Sequence, residues 1–288
     1  MLAVYKRELR AYMNNVYGWL FMAIFLLFTG YMMFQNNLYD GMPEFELTLS
    51  ASQYALLLLI PILCMRSMAE DRHNKTDMFY LSLPMKTASV VLGKYFAMLT
   101  VYAIPCVILC VYPLVLGAFG PVNYLVAYLS ILLYLILGAA LIAVCQFLSS
   151  LTDNLVIAAV LGVLAVAVLL FAPFLSYVIP LTAIASFIGL VVLALLLAGV
   201  AFLATHNLNV TAITGAAAVV PLSVVYILSR SSFEGLFPSL LQFISPFAHF
   251  ATFCQFGTFS VQSLILLLSY PVLFVFLTVQ SADKKRWD

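Results

Sequence analysis

Apolar residues run along this chain in long stretches separated by short polar breaks. A helix rising about 1.5 Å per residue needs roughly 20 apolar residues to cross the hydrocarbon core of a bilayer. Runs of that order lie at 16–34, 48–65, 95–116, 124–147, 155–171, 181–205, 212–228 and 261–280. The pattern predicts an all-α, polytopic transmembrane helical bundle of eight spans. The runs 155–171 and 212–228 are short, and the loop 206–209 has no Lys or Arg to fix its side. A six-span bundle, with part of 173–228 interfacial or re-entrant, satisfies the same pattern.

Composition agrees: 65% of residues are hydrophobic, 8% are charged and mean hydropathy is +1.14. A soluble domain is about half apolar. The formal charge is only +1, but the signs are segregated. With the N-terminus inside and eight crossings, Arg230 is the one outer base, while Lys6, Arg7, Arg10, Arg66, Arg72, Lys75, Lys86, Lys94, Lys284, Lys285 and Arg286 are all inside. Short loops rich in Lys and Arg stay cytoplasmic. The basic tail must return to the side of the head, so the number of spans is even. Asp40, Glu44, Glu46 and Glu234 fall outside. The start of the chain reads as no cleavable signal, because a charged amphipathic segment precedes the apolar run.

The charge concentrates at 65–94, which holds five of the twelve bases and three of the eleven acids. The second span is expected to continue to about Arg72, putting Arg66, Glu70 and Arg72 in water. A short helix follows, with Thr76 as N-cap, Asp77 in the first turn, Met78, Phe79, Tyr80, Leu81 and Leu83 after it, and Pro84 as its stop. Its exposed apolar residues need cover, either from the chain's own membrane helices or from a soluble partner. Gly93 and Lys94 are expected at the water boundary. At the start, 2–15 reads as an amphipathic interfacial helix with Leu2, Tyr5, Leu9, Tyr12 and Met13 on one face and Lys6, Arg7, Glu8 and Arg10 on the other. A plain positive-inside anchor fits the same residues.

The first outer loop, 35–47, is acidic and turns at Asp40 and Gly41, and Asp153 and Asn154 are candidate caps for the fifth span. The segment 229–260 carries eight phenylalanines, interrupted by Pro238 and Pro246. It reads as two short helices dipping into the outer leaflet as a lid or exit lining, with Phe237, Phe243, Phe247, Phe250 and Phe253 as candidates. An anchoring aromatic belt is the alternative.

The sequence disfavours several kinds of chemistry. No ionisable residue falls in the middle of a span, which disfavours proton- or sodium-coupled carriage. His73, His206 and His249 are scattered, with no zinc or serine-hydrolase motif, and His249 reads as a packing or hydrogen-bonding residue. Gly93-Lys94 lacks the rest of a phosphate-binding loop. The sequon at Asn209 falls on the inner side, where it is not glycosylated. Cys64, Cys106, Cys110, Cys145 and Cys254 have no metal or redox spacing and read as small packing residues. The expectation is a non-catalytic membrane subunit whose energy comes from a docked ATPase.

The runs Pro61-Ile-Leu-Cys-Met-Arg-Ser-Met-Ala-Glu-Asp-Arg, Lys75-Thr76-Asp77, Leu81-Ser82-Leu83-Pro84 and Val91-Leu92-Gly93-Lys94-Tyr95 resemble the signature of ABC-2 type permeases, nearest to the gliding-motility-type branch. Tyr5-Lys6-Arg7-Glu8-Leu9 and the tail from His249 to Trp287 are similar to that branch as well. Lys75 stands where the family often has Gly and Met78 where it often has an acid, and the family usually has six spans. The resemblance implies one permease domain over 1–288, with an interfacial helix at 1–15, a cytosolic coupling segment at 66–94 and outer short helices within 229–260. It places a coupling helix at about 75–83, with Glu70, Arg72, Lys75, Thr76, Asp77, Phe79 and Tyr80 as the ATPase-docking residues.

Its implied partners are cytosolic ABC ATPases, which bind ATP and Mg themselves, a second permease subunit, identical or related, and membrane lipids, with no nucleic acid. The implied location is a bacterial plasma membrane with both termini inside, and the implied activity is export of a hydrophobic or amphipathic substrate. The alternative is a scaffold or assembly subunit that docks an ATPase without moving substrate. An uncoupled channel or scramblase is a third class.

Overall fold

The computed structural model describes residues 1–73, 86–205, 222–223, 226, 230–258 and 260–287. Among these residues every regular element is helical. In chain order the α-helices are α1 (Leu2–Asn14), α2 (Val16–Met33), α3 (Phe45–Cys64), α4 (Ala69–His73), α5 (Thr87–Leu109), α6 (Tyr112–Leu116), α7 (Tyr124–Ser149), α8 (Leu155–Val178), α9 (Ala183–Thr205), α10 (Leu236–Ile244), α11 (Pro246–Phe256) and α12 (Val261–Trp287), with a π-helical stretch at Phe34–Tyr39 and a 3-10 turn at Arg230–Phe233.

Six stretches among the described residues are long and apolar enough to cross a membrane: Val16–Tyr39, Phe45–Arg72, Thr87–Leu116, Tyr124–Ser149, Leu155–Val178 and Val261–Lys284. The chain is a multi-pass membrane protein. Of the other two expected spans, 181–205 corresponds to α9, in which Ala183–Ala194 is a shorter apolar stretch. The run 212–228 lies outside the described residues except at 222–223 and 226.

The chain packs as two compact units, Met1–Leu170 with Pro246–Asp288, and Phe171–Ser245. In the first unit α3, α5, α11 and α12 all pack on α7. Helices in lipid associate by close packing, which favours small residues where they meet. α7 supplies Gly138, Ala139, Ala140 and Ala143, all buried, and a side chain added at Gly138 would run into the ring of Tyr102. The two buried tyrosines at the centre are paired: the Tyr102 hydroxyl donates to Tyr134 O at 2.9 Å and the Tyr134 hydroxyl to Ser52 O at 3.3 Å. Phe25 meets Tyr102 edge-on at 5.7 Å between ring centroids, and Phe250 lies 5.5 Å from the Tyr134 ring.

The loop after α2 is tied by one side chain. Asn37 donates to Met42 O at 2.7 Å and accepts from the Thr48 hydroxyl at 2.5 Å, while Gly41 takes the positive φ of 69° that the turn needs. Asn154 accepts from Val156 N at 2.9 Å and so caps α8, as its position suggests.

The second unit contains the end of α8, α9 and α10. Its small core gathers Phe187, Tyr226, Phe233 and Phe237. Gln242 donates to Ser176 Oγ at 2.9 Å, and Gly235, at φ 71°, donates its N–H to Leu181 O at 3.1 Å.

Candidate functional site

The site is an arm, residues 65–73, that leaves the end of α3 and is gripped by three other helices of the first unit. The expected unbroken helix to Arg72 does not form. α3 stops at Cys64, the chain turns at 65–68, and α4 restarts at Ala69. The break is stabilised from outside the arm. Ser149, the last residue of α7, accepts from Met68 N at 3.3 Å and Ala69 N at 3.2 Å, which gives α4 a borrowed N-cap.

Lys94 is the hub. It sits in the second turn of α5 and is 3% exposed, enclosed by neighbouring helices and not by water. Its Nζ lies 2.7 Å from Asp71 Oδ2 on α4 and 3.3 Å from Glu8 Oε1 on α1, and it donates to Ser67 O at 2.5 Å. An ammonium has three N–H donors, and three acceptors surround it. That match is what makes the burial of a charge tolerable here. Arg7 also pairs with Glu8. Glu8 therefore belongs to the packed side of α1 and not to its polar face, while Lys6, Arg7 and Arg10 are exposed.

α1 accordingly is not merely afloat in the headgroup layer: it is docked on α5. Val4, 5% exposed, packs on Gly93, where a Cβ would come within 3.1 Å of the valine. The Tyr5 hydroxyl is 3.1 Å from Thr100 Oγ1. The Tyr12 hydroxyl donates to Leu63 O at 3.1 Å, pairing one of the carbonyls that the end of α3 leaves unpartnered. Burial pushes the Tyr12 phenol well above its ordinary range, with the neighbouring Cys64 and Glu8 adding to the effect, so it stays a neutral donor.

The other charged residues of the arm fix its remaining sides. Arg66 holds Glu70 through Nε at 2.8 Å and Nη2 at 2.5 Å, and its guanidinium lies 4.5 Å from the centroid of the Tyr17 ring. Arg72, its side chain 9% exposed, turns inward: Nη1 donates to Ser150 O and lies 3.7 Å from Asp153 Oδ1. The arm is thus tied to α2, α5, the end of α7 and the α7–α8 turn, and through Lys94 to α1.

Of the sequence-predicted docking residues, Glu70 and Arg72 are on this arm, while Lys75, Thr76, Asp77, Phe79 and Tyr80 lie outside the described residues. In α11, Phe247, Phe250 and Phe253 are 1%, 0% and 4% exposed and belong to the packed core. In the second unit Phe237 is buried and Phe243 exposed. His249 is 3.0 Å from Ser263 Oγ, a hydrogen-bonding placement. The five cysteines are free thiols, four of them buried. Among the described residues no group of three His, Cys, Asp or Glu is placed to hold a metal ion.

Sequence reasoning passed over Asp71 and Ser149, put Glu8 on the polar face of the first helix and Lys94 at the water boundary, and did not foresee their pairing. The one available signal was Lys94 itself, a lysine set inside an apolar run beside a glycine.

A search of curated proteins found no match. The family model described as ABC-2 family transporter protein matches residues 5–208, which takes in most of α1, the arm and the hub. The chain belongs to the ABC-2 family of transporter proteins.

Proposed function

We propose that this chain is the membrane-spanning permease subunit of an ABC exporter of the gliding-motility-type branch, in which a separate cytosolic ATPase drives the arm. The ATPase docks on the segment that follows the arm, at Lys75, Thr76, Asp77, Phe79 and Tyr80, with Glu70 at its edge and Arg72 holding the arm in register. The partner binds ATP and Mg; this chain is non-catalytic. The observation that carries the reading is the Lys94 hub. Any displacement of the arm must move Asp71 against Lys94, and through it α5 and α1. Packed interiors respond to such a push by shifting whole elements.

The complex contains a second permease subunit, and both termini of this chain lie in the cytoplasm of a bacterial cell. On the outer side, Phe247, Phe250 and Phe253 leave their core places when an outward path opens. The substrate is hydrophobic or amphipathic, since the spans have no charged centre. The test is the double substitution Phe79→Ala and Tyr80→Ala in the full-length protein. Loss of ATPase co-purification with unchanged membrane levels is expected. Retained co-purification with normal substrate-stimulated ATP hydrolysis overturns the reading. ATP-dependent movement of a labelled hydrophobic peptide or lipid by the reconstituted complex separates an exporter from a scaffold.

A further inference from the structure

We infer that the cleft between α1 and the arm is a binding site for the phosphoethanolamine headgroup of a membrane lipid. The cleft has a volume of about 310 Å³, and its walls carry Arg7, Arg66 and Lys94 of one sign and Glu8, Glu70 and Asp71 of the other. It lies at the membrane boundary. Tyr17, on its wall, and Trp19, two residues on, open α2 and are 50% and 58% exposed, and Trp19 donates its indole N–H to Met13 O at 2.7 Å. Half-exposed aromatics of this kind mark the headgroup level. Lipid headgroups, and not water alone, are what such a cleft meets.

Three positive and three negative side chains balance, so the walls suit a zwitterion. An anionic headgroup would satisfy the guanidiniums and leave the carboxylates facing it. Lys94 spends all three donors on Ser67, Asp71 and Glu8 and is 3% exposed; Arg7 and Arg66 are paired with Glu8 and Glu70, but their side chains are 53% and 23% exposed, and Arg66 gives Glu70 only two of a guanidinium's five N–H donors. Guanidiniums recognise phosphate through paired N–H donors. Glu70, 31% exposed, takes one bond from Arg66 on each oxygen, and a carboxylate has about four acceptor sites, so it stands beside them to accept from an ammonium as well.

The same geometry selects a primary ammonium over choline. A quaternary ammonium has no N–H to give a carboxylate and is usually held by open aromatic faces. Here the Tyr17 face is covered by Arg66 and the Tyr12 hydroxyl is spent on Leu63. This site does not depend on whether the protein moves a substrate.

The experiment reconstitutes the full-length protein in nanodiscs of equal parts phosphatidylethanolamine, phosphatidylcholine and phosphatidylglycerol. The lipids retained on release into mild detergent are then counted by native mass spectrometry. Retention of phosphatidylethanolamine over phosphatidylcholine by roughly tenfold is expected, which corresponds to about 1.4 kcal/mol. The preference should fall to parity in Arg7→Gln with Arg66→Gln. Glu70→Gln, a milder change, should shift retention toward phosphatidylglycerol. Equal retention of the three lipids by the wild-type protein overturns the proposal, as does a preference that survives the arginine substitutions. Displacement of the lipid by millimolar soluble glycerophosphoethanolamine would show that the free headgroup, and not the lipid, is the ligand.

Discussion

Replacing Lys94 by Met keeps the length and apolar bulk of the stem and removes only the ammonium. Asp71 and Glu8 then face each other's charge without their shared cation, and Ser67 O loses its donor. Removing one partner of a buried ion pair typically costs about 3–5 kcal/mol. That figure is too large for this site, because Arg7 still pairs with Glu8 and the two carboxylates are 13% and 18% exposed. About 2–3 kcal/mol is the better expectation for the charges, and the orphaned carbonyl adds roughly 1 kcal/mol. The total is about 3–4 kcal/mol.

A double-mutant cycle with Asp71→Asn isolates the pair. Once Lys94 is gone, neutralising Asp71 should be far less harmful, with a coupling of about 1.5–3 kcal/mol. The assay is unfolding of the purified full-length protein by added denaturing detergent, followed by circular dichroism. A Lys94→Met variant within about 0.5 kcal/mol of wild type, or a coupling near zero, would refute the hub and show Lys94 to be solvated.

Two other substitutions, the second with a control, test the packing of the first unit. Ser149→Ala removes the borrowed cap of α4; a loss of about 1 kcal/mol is expected, with faster hydrogen exchange at the Met68 and Ala69 amides, and unchanged exchange would show that the cap is idle. Gly138→Ala drives a methyl into the Tyr102 ring, which is buried and held by its hydrogen bond to Tyr134 O. It should cost about 1–3 kcal/mol, whereas Gly120→Ala, which meets open space, should leave stability unchanged; equal effects of the two would contradict the close approach of α5 and α7.

Much of the fold was legible because its main determinant is local. A run of some 20 apolar residues must form its own hydrogen bonds in lipid and so becomes a helix whatever surrounds it. Local signals also mark α1, the short helices α10 and α11, with Pro238 in the first turn of one and Pro246 opening the other, and the Asn154 cap. Residues 74–85, where the docking helix was expected, lie outside the described residues apart from the sequence that motivates it.

What the sequence alone determined is the membrane character of the chain, the placement of most spans and the concentration of charge at 65–94. Only the tertiary structure decided which charges are solvated and which are buried. Periodicity put Glu8 on a polar face and Lys94 at a boundary. Yet Glu8 comes from α1, Ser67 and Asp71 from the arm and Lys94 from α5, and no local pattern records that these elements converge. A charge is cheap in water and costly in the interior unless matched. Whether a given lysine can be buried is therefore settled by partners far along the chain, which only the assembled helices bring within 3.3 Å.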